Sequence, residues 1–292
     1  MYYVVFGFLW LVSLLPLWAL YRIADGIYFL VYYVFRYRKD IVMHNLDQAF
    51  PGKTAQEKKA IAKQFYHNLI DTFIETIKMI SASPRMLDRR MLGNWEVINQ
   101  FRDSGRSVQL HLGHNFNWEW GNIAASKNLA MTFLAVYMPI TNPNFERLFL
   151  YLRARCGTRL IRATHMREDF LPYRNQQYIL VLAADQNPGV PAKATWFNFL
   201  GRPAPFVPGP AKNAITNNTA VVFAYIRKIK RGYYNIVFSL AHEAAGQLEE
   251  KKLTEEFVRY LEKNIRQYPD QWLWSHRRWK HAWKEEYGPP VS

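Results

Sequence analysis

Two histidines and one glutamate lie close together in the segment Leu110–Gly121. His111 and His114 occupy nearby positions, and Glu119 follows His114 in an H-x-x-x-x-E pattern. An imidazole and a carboxylate this close can form a base with its orienting group, because the carboxylate fixes the ring tautomer and stabilises the imidazolium. The pattern predicts proton abstraction, with either histidine as the base.

The elements around this segment predict where the histidines lie. An apolar run over 107–112 enters it, and 121–125 leaves it with helix-compatible spacing, which indicates a strand, a tight turn and the start of a helix. A second buried strand ends just before Asp185 and Gln186. Because the carboxyl ends of strands open onto the ligand crevice in α/β sheets, Asp185 is expected to face the cleft of His114. The alternative is that Asp185 caps the Asn-Pro-Gly turn that follows it.

The remaining pattern indicates the fold class. Thr54 and Glu57 form a capping-box pattern, and apolar residues then repeat at helical spacing to about Ile80. Strand-like and helical segments alternate over 131–240, ending in a predicted hairpin, and Thr254 is predicted to cap a final amphipathic helix. This alternation predicts an α/β core.

The N-terminal region predicts membrane association. Residues 1–21 contain no charged side chain, and a second apolar run over 26–35 ends in the basic cluster Arg36–Lys39. Since about 20 apolar residues span a bilayer, one interpretation is a single span with the basic cluster on the cytoplasmic side. The others are a hairpin or interfacial helix pair in one leaflet, and a core hairpin of a soluble protein. We predict an anchor over 1–35 and a second domain over 36–292.

Composition limits the partners. The 292 residues carry a formal net charge of +15, and 16% are aromatic, which favours anionic lipid or an acidic carrier protein and a membrane interface. No run of five Lys or Arg occurs, which argues against nucleic acid as a partner. The single Cys156 excludes an intramolecular disulfide, and no clear set of metal partners surrounds His111 and His114, so we expect no metal site.

A cluster of arginines comes after the segment Leu110–Gly121 in the sequence. The densest cluster comprises Arg153, Arg155, Arg159 and Arg162. Arginine binds phosphate through its bidentate fork and can stabilise an oxyanion. The alternative is that at least two of the four are solvated side chains on a helix.

Two aromatic segments lie further along the chain. The segment 196–206 lacks acidic residues and is predicted to line an acyl pocket or to lie against lipid. The segment 271–280 alternates tryptophan with basic residues, which is typical of contact with lipid headgroups.

Blocks of sequence in a specific order cover nearly the whole chain. Besides the apolar N-terminus, they are Tyr37–Pro51, Phe65–Leu69, Arg153–Gly157, Ala184–Gln186, Phe199–Ala204 and Gln271–Arg278. In this order the chain resembles the bacterial lipid A late acyltransferases of the lauroyl and myristoyl type, within the glycerolipid acyltransferase superfamily. The resemblance implies a mixed central sheet flanked by helices, with an N-terminal membrane-anchoring helix.

The resemblance assigns roles around the central turn. The motif of the family commonly reads H-x-G-N-W-E, and 117–119 match its end, so His114 takes the histidine position and Phe116 stands where glycine is usual. The resemblance implies that His114 is the general base, that Glu119 orients it, and that Arg153 supports catalysis. It implies direct attack of a hydroxyl on a thioester, without an acyl-enzyme.

The resemblance also implies the substrates. The donor is expected to be an acyl-acyl carrier protein or acyl-CoA co-substrate, with no other cofactor. The acceptor is expected to be an anionic lipid A precursor at the cytoplasmic face of a bacterial inner membrane. The substrate-binding candidates are Asn117, Asp185, Gln186, Arg155 and Arg162. Alternatives are the same chemistry on a glycosylated phosphoinositide, an aminoacyl lipid or a lysophospholipid, and a catalytically silent lipid-binding homologue.

Overall fold

The computed structural model describes residues 2–291, in which helices alternate with strands. The helices are α1 (Tyr2–Leu14), α2 (Leu17–Phe29), α3 (Lys39–Ala49), α4 (Ala55–Lys78), α5 (Pro84–Asp88), α6 (Glu96–Asn99), α7 (Trp118–Asn128), α8 (Pro143–Ala154), α9 (Met166–Phe170), α10 (Gly209–Thr216) and α11 (Glu250–Gln267). A π-helical segment (Leu30–Val34) continues α2.

A seven-stranded sheet forms the centre of the fold. The strands of the chain are β1 (Met91–Gly93), β2 (Val108–Leu112), β3 (Thr132–Tyr137), β4 (Arg159–Arg162), β5 (Tyr178–Ala183), β6 (Thr195–Phe199), β7 (Arg202–Phe206), β8 (Ala220–Lys230) and β9 (Tyr233–His242). Their order in the central sheet is β1-β9-β8-β2-β5-β3-β4, and β6 pairs with β7 separately. In the central sheet β8 and β9 are antiparallel and the other pairs are parallel, so the predicted mixed sheet flanked by helices is confirmed.

Local sequence signals locate most of these elements. The capping box is present at α4, where Thr54 accepts from the Glu57 backbone N–H and the Glu57 carboxylate accepts from Thr54 N. The predicted hairpin is β8–β9. The prediction that Thr254 caps the last helix is wrong, because α11 begins at Glu250 and the Thr254 hydroxyl bonds back to the Glu250 carbonyl inside the helix.

The aromatic side chains of both segments lie mainly in the core. Trp196 and Phe199 are buried in the β6–β7 hairpin, and Trp272 and Trp274 are buried as well. Arg278 is fully buried and lies 4.3 Å from the centre of the Phe206 ring. The prediction of a lipid face at 196–206 is therefore wrong, since its aromatic side chains are buried. In the segment 271–280, Trp272 and Trp274 belong to the main core cluster but Arg277 and Lys280 are exposed, so headgroup contact there stays a prediction.

The N-terminal helices form a bent pair. α1 and the helix over 17–34 meet at an angle of 116°, and no single helix within residues 2–291 is long and apolar enough to cross a membrane, although the pair passes that test together. The break falls at Pro16, which has no N–H for the helical ladder. Leu20 and Ala24 of α2 are buried in the core. The membrane anchor and the domain boundary at residue 35 stay predictions.

Candidate active site

Two neighbouring strands bring His114 and Asp185 together. β2 and β5 are parallel with Leu112 opposite Ala183, so the residues that follow each strand meet at the same edge of the sheet. Gly113 permits the close approach, because a Cβ at that position would lie 3.1 Å from Asp185 Oδ2.

Asp185 is the carboxylate that holds the His114 ring. Its Oδ1 lies 2.5 Å from His114 Nδ1, while its Oδ2 accepts from the His114 backbone N–H at 2.8 Å and from the Trp272 indole at 2.7 Å. The Asp185 side chain is 2% exposed, whereas that of His114 is 23% exposed. The sequence predicted that Glu119 would orient His114, and in the structure the orienting contact belongs to Asp185 instead.

The two groups shift each other's pKa. Burial lowers the pKa of His114, but the charge of Asp185 and its hydrogen bond raise it by more, so the net pKa lies above its usual value. Burial raises the pKa of Asp185, but the charge and hydrogen bonds of His114 lower it by more, so that the net pKa is about 2. The geometry therefore stabilises an imidazolium next to a carboxylate, as a general base requires after it has taken a proton.

Glu119 is bound to Arg153. The guanidinium of Arg153, on α8, donates to both carboxylate oxygens of Glu119, with Nε 2.9 Å from Oε2 and Nη2 2.5 Å from Oε1. Glu119 lies in the first turn of α7 and its side chain is nearly buried. A bidentate pair of this kind fixes both groups, and Glu119 accepts no hydrogen bond from His114.

An apolar cavity of about 540 Å³ opens at these residues. His114, Glu119, Arg153 and Gln186 line it, together with aliphatic and aromatic side chains from the sheet and α7. Members of the apolar lining include Leu110, Phe133, Val181, Ile226, Ile236 and Phe238. Few polar groups in a largely apolar pocket are typical of a site for an apolar ligand with one reacting end.

His111 lies apart from this cavity. Its ring is buried beside Phe223 and Phe257, since successive strand residues face opposite sides of the sheet. Burial lowers the pKa of His111 to about 3. A neutral, enclosed ring that contacts Gln109 is a packed residue of the core.

The structure separates the substrate-binding candidates. Gln186 lines the cavity with its Nε2 3.2 Å from His114 Nε2. Arg162 is paired with Asp169 and is not among the residues lining the cavity.

Two of those candidates are engaged with the protein itself. Asn117 is fully buried, and its amide bonds to Glu75 and to the Trp120 backbone N–H. The Arg155 guanidinium donates to backbone carbonyls just beyond α4, those of Met79 and Ala82. The Asn117 amide is thus occupied inside the fold, whereas Arg155 is an exposed residue, and substrate binding by Asn117 and Arg155 stays a prediction.

Sequence reasoning missed the contributions of Glu75 and Trp272. Glu75 lies on α4 with its carboxylate fully buried, and Trp272 holds Asp185 from the C-terminal segment. No local pattern marks either contact, because the partners are distant in sequence.

Within residues 2–291, no group of three His, Cys, Asp or Glu side chains is arranged to hold a metal ion.

The family model for bacterial lipid A biosynthesis acyltransferases matches residues 1–281. A lipid A biosynthesis lauroyltransferase of Escherichia coli (strain K12) is 26% identical over 281 residues, which cover 94% of this chain and 89% of that protein. The chain belongs to the bacterial lipid A biosynthesis acyltransferase family, and it is an acyltransferase.

Proposed function

We propose that the protein transfers a fatty acyl chain from a thioester donor to a hydroxyl of a lipid A precursor, with His114 as the general base. The observation that carries the proposal is that His114, held by the buried Asp185 carboxylate, lines the apolar cavity of about 540 Å³. The family and its Escherichia coli relative support acyl transfer in lipid A biosynthesis.

The proton transfer follows from the tautomer. With Asp185 Oδ1 accepting from Nδ1, neutral His114 presents a lone pair at Nε2. An acceptor hydroxyl that replaces Gln186 at Nε2 gives its proton there and attacks the thioester carbonyl. The resulting imidazolium is stabilised by Asp185, and it returns the proton to the leaving thiolate.

The cavity supports an acyl substrate. Its lining is mostly aliphatic and aromatic, and a fatty chain buried there leaves its thioester carbon beside His114. Arg153 also lines the cavity and supplies positive charge where an oxyanion develops, while its pairing with Glu119 keeps the guanidinium in place. In this scheme Glu119 positions the Arg153 guanidinium, and Arg153 stabilises the oxyanion.

The location and donor complete the proposal. Exposed apolar side chains are concentrated on α1 and the helix that follows it, including Tyr3, Val4, Phe8, Leu11, Trp18 and Phe29. A surface of this kind favours attachment to a bilayer, here the cytoplasmic face of the inner membrane. An acidic acyl carrier protein, or CoA, is the proposed donor, since the chain has a net charge of +15.

The test is a transfer assay with two histidine variants. His114→Ala is expected to lower transfer by about 10²–10⁴-fold, because the general base is lost. The matched control is His111→Ala, three positions away and outside the cavity, which should retain most of the activity of the folded protein. Equal loss in both variants contradicts the role of His114.

The acceptor is tested in cells. In a strain that lacks the gene, mass spectrometry of total lipids is expected to find lipid A short of one acyl chain. Intact lipid A with another underacylated lipid contradicts the proposed acceptor. Intact lipids throughout, with no transfer in vitro, contradict the acyltransferase mechanism proposed for the site.

A further inference from the structure

Glu75 is a buried carboxylate next to the turn over 113–117 that carries His114, called the catalytic turn below. It lies on α4 with no exposed surface, and among residues 2–291 it forms no salt bridge. Instead its oxygens accept three hydrogen bonds, from the Tyr21 hydroxyl at 2.7 Å, the Tyr234 hydroxyl at 2.6 Å and Asn117 Nδ2 at 2.8 Å. Since burying a carboxylate without a cation is unfavourable, three well-placed donors must replace water here.

The contact with Asn117 reaches the catalytic turn. Asn117 is the last residue of this turn and the N-cap of α7, where its Oδ1 accepts from the Trp120 backbone N–H at 3.2 Å. An Asn side chain has one acceptor end and one donor end. Because the Trp120 backbone N–H can only donate, it takes the oxygen end of Asn117, and Glu75 Oε2 accepts from the NH₂ end and holds it in this orientation.

A second contact of Glu75 acts on the same helix. Its backbone carbonyl accepts from the Trp120 indole at 2.9 Å, so both ends of Glu75 contact the start of α7. Glu119 lies between Asn117 and Trp120 in the first turn, and it holds Arg153. The placement of the charged groups of the cavity therefore depends on a residue that does not line it.

We propose that Glu75 is a positioning residue of the acyl-transfer site, which acts by fixing the Asn117 amide and thereby the turn that carries His114 and Glu119. The expected change in kcat rests on the proposed acyl transfer. The expected change in hydrogen–deuterium exchange of the backbone does not, so the two measurements can fail separately.

The main variant is Glu75→Met, which keeps the volume and removes the acceptors. It is expected to lower kcat by at least tenfold with a small change in KM, because a displacement of about 1 Å can lower a rate by about 10²-fold. Hydrogen–deuterium exchange of the backbone amides of 118–121 is expected to accelerate. Glu75→Gln should recover most of kcat, since its carbonyl oxygen can still accept from Asn117.

The matched control is Asp71→Asn. Asp71 is buried one turn earlier on α4 and is paired with Lys228 and Arg231, without contact to the catalytic turn. It is expected to lower thermal stability while leaving kcat within about twofold and exchange over 118–121 unchanged.

A double-variant cycle isolates the route. If Glu75 acts through Asn117, then Asn117→Ala combined with Glu75→Met should lower kcat no further than the more damaging single variant. Fully additive losses overturn the proposal, as does a Glu75→Met protein with normal kcat and normal exchange over 118–121. If the unmodified protein shows no transfer, the proposed function fails and the exchange data alone decide the role of Glu75.

Discussion

Replacing Asp185 with asparagine has a defined geometric outcome. Oδ2 of Asp185 accepts from both the His114 backbone N–H and the Trp272 indole, so the oxygen of the asparagine is expected to stay on that side. Its NH₂ group then takes the place of Oδ1, which lies 2.5 Å from His114 Nδ1, and donates to that nitrogen. Since a neutral imidazole carries one proton, the proton moves to Nε2, where the lone pair is needed.

The size of the expected loss of kcat follows from this change of tautomer. A histidine protonated at Nε2 cannot accept the proton of the incoming hydroxyl, so general-base catalysis is lost. That contribution is typically about 10²–10⁴-fold, which corresponds to about 3–5 kcal/mol at about 1.4 kcal/mol per factor of ten. We expect Asp185→Asn to lower kcat by about 10²-fold or more, with a small change in KM, because the cavity walls are unaltered. Initial rates of transfer from an acyl thioester measure this.

The pH dependence gives an independent readout of the same pair. His114 acts as a base only when neutral, so kcat/KM of the unmodified protein should rise with pH through the raised pKa of His114. In Asp185→Asn the charge that raises the pKa is gone and burial still lowers it, so the residual activity should have its acidic limb at lower pH.

Stability should follow the same pair in two pH windows. The raised pKa of His114 adds stability below its unfolded value of about 6.5, which is lost as the pH rises through the folded value. The lowered pKa of Asp185 adds stability above its unfolded value of about 3.9, which is lost as the pH falls towards about 2.

Glu119→Gln provides the contrast that can refute this reasoning. Glu119 contacts Arg153 rather than His114, so this variant should lower kcat without moving the acidic limb of the pH profile. The reasoning is refuted if Asp185→Asn keeps nearly full activity while Glu119→Gln moves the acidic limb. That result would mean that Glu119 orients His114 during turnover, as the sequence motif predicted.

Two further predictions concern the acyl chain and the membrane. Gly121 lines the cavity, and a Cβ there would lie 2.8 Å from Ile226 Cδ1, so Gly121→Leu should shift donor preference to shorter chains by roughly fourfold in kcat/KM per excluded methylene, at about 0.8 kcal/mol each. Competition between donors of different length measures this, and an unchanged preference contradicts an acyl chain in the cavity. Phe8→Glu with Leu11→Glu should release the protein from vesicles of anionic lipid, because both side chains are more than half exposed on α1. Leu171→Glu, at a similarly exposed site elsewhere, is the control, and equal binding of all variants in a sedimentation assay contradicts attachment through α1.

Local signals in the sequence determined much of the scaffold. The apolar run before Gly113 and the helix-compatible spacing over 121–125 predicted a strand, a turn and a helix, which the structure forms as β2, the turn of His114 and α7, because such periodicity acts over a few residues. The same is true of the capping box at Thr54 and of the β8–β9 hairpin. The order of sequence blocks also indicated the family, which the match over residues 1–281 confirms.

Helical periodicity was less informative where polar residues enter the core. The apolar repeat of α4 included Phe73, which is 57% exposed, whereas Asp71 and Glu75 on the same helix are buried. The polar side chains are buried because Lys228, Tyr234 and other distant groups satisfy them. Such compensation cannot be read from a helix considered alone.

The sequence predicted that Asp185 faces the cleft of His114, but only the tertiary structure decided which carboxylate bonds to the ring. From the sequence, Glu119 is the nearest carboxylate, but a residue in the first turn of α7 is directed by its helix, and there it meets Arg153 of α8. Asp185 lies far along the chain, and the parallel pairing of β2 with β5 brings it within 2.5 Å of the ring. The sequence by itself determined which chemical groups are available at the turn. Only the strand order and the C-terminal segment carrying Trp272 determined which of them touch, because hydrogen bonds depend on distance in space rather than along the chain.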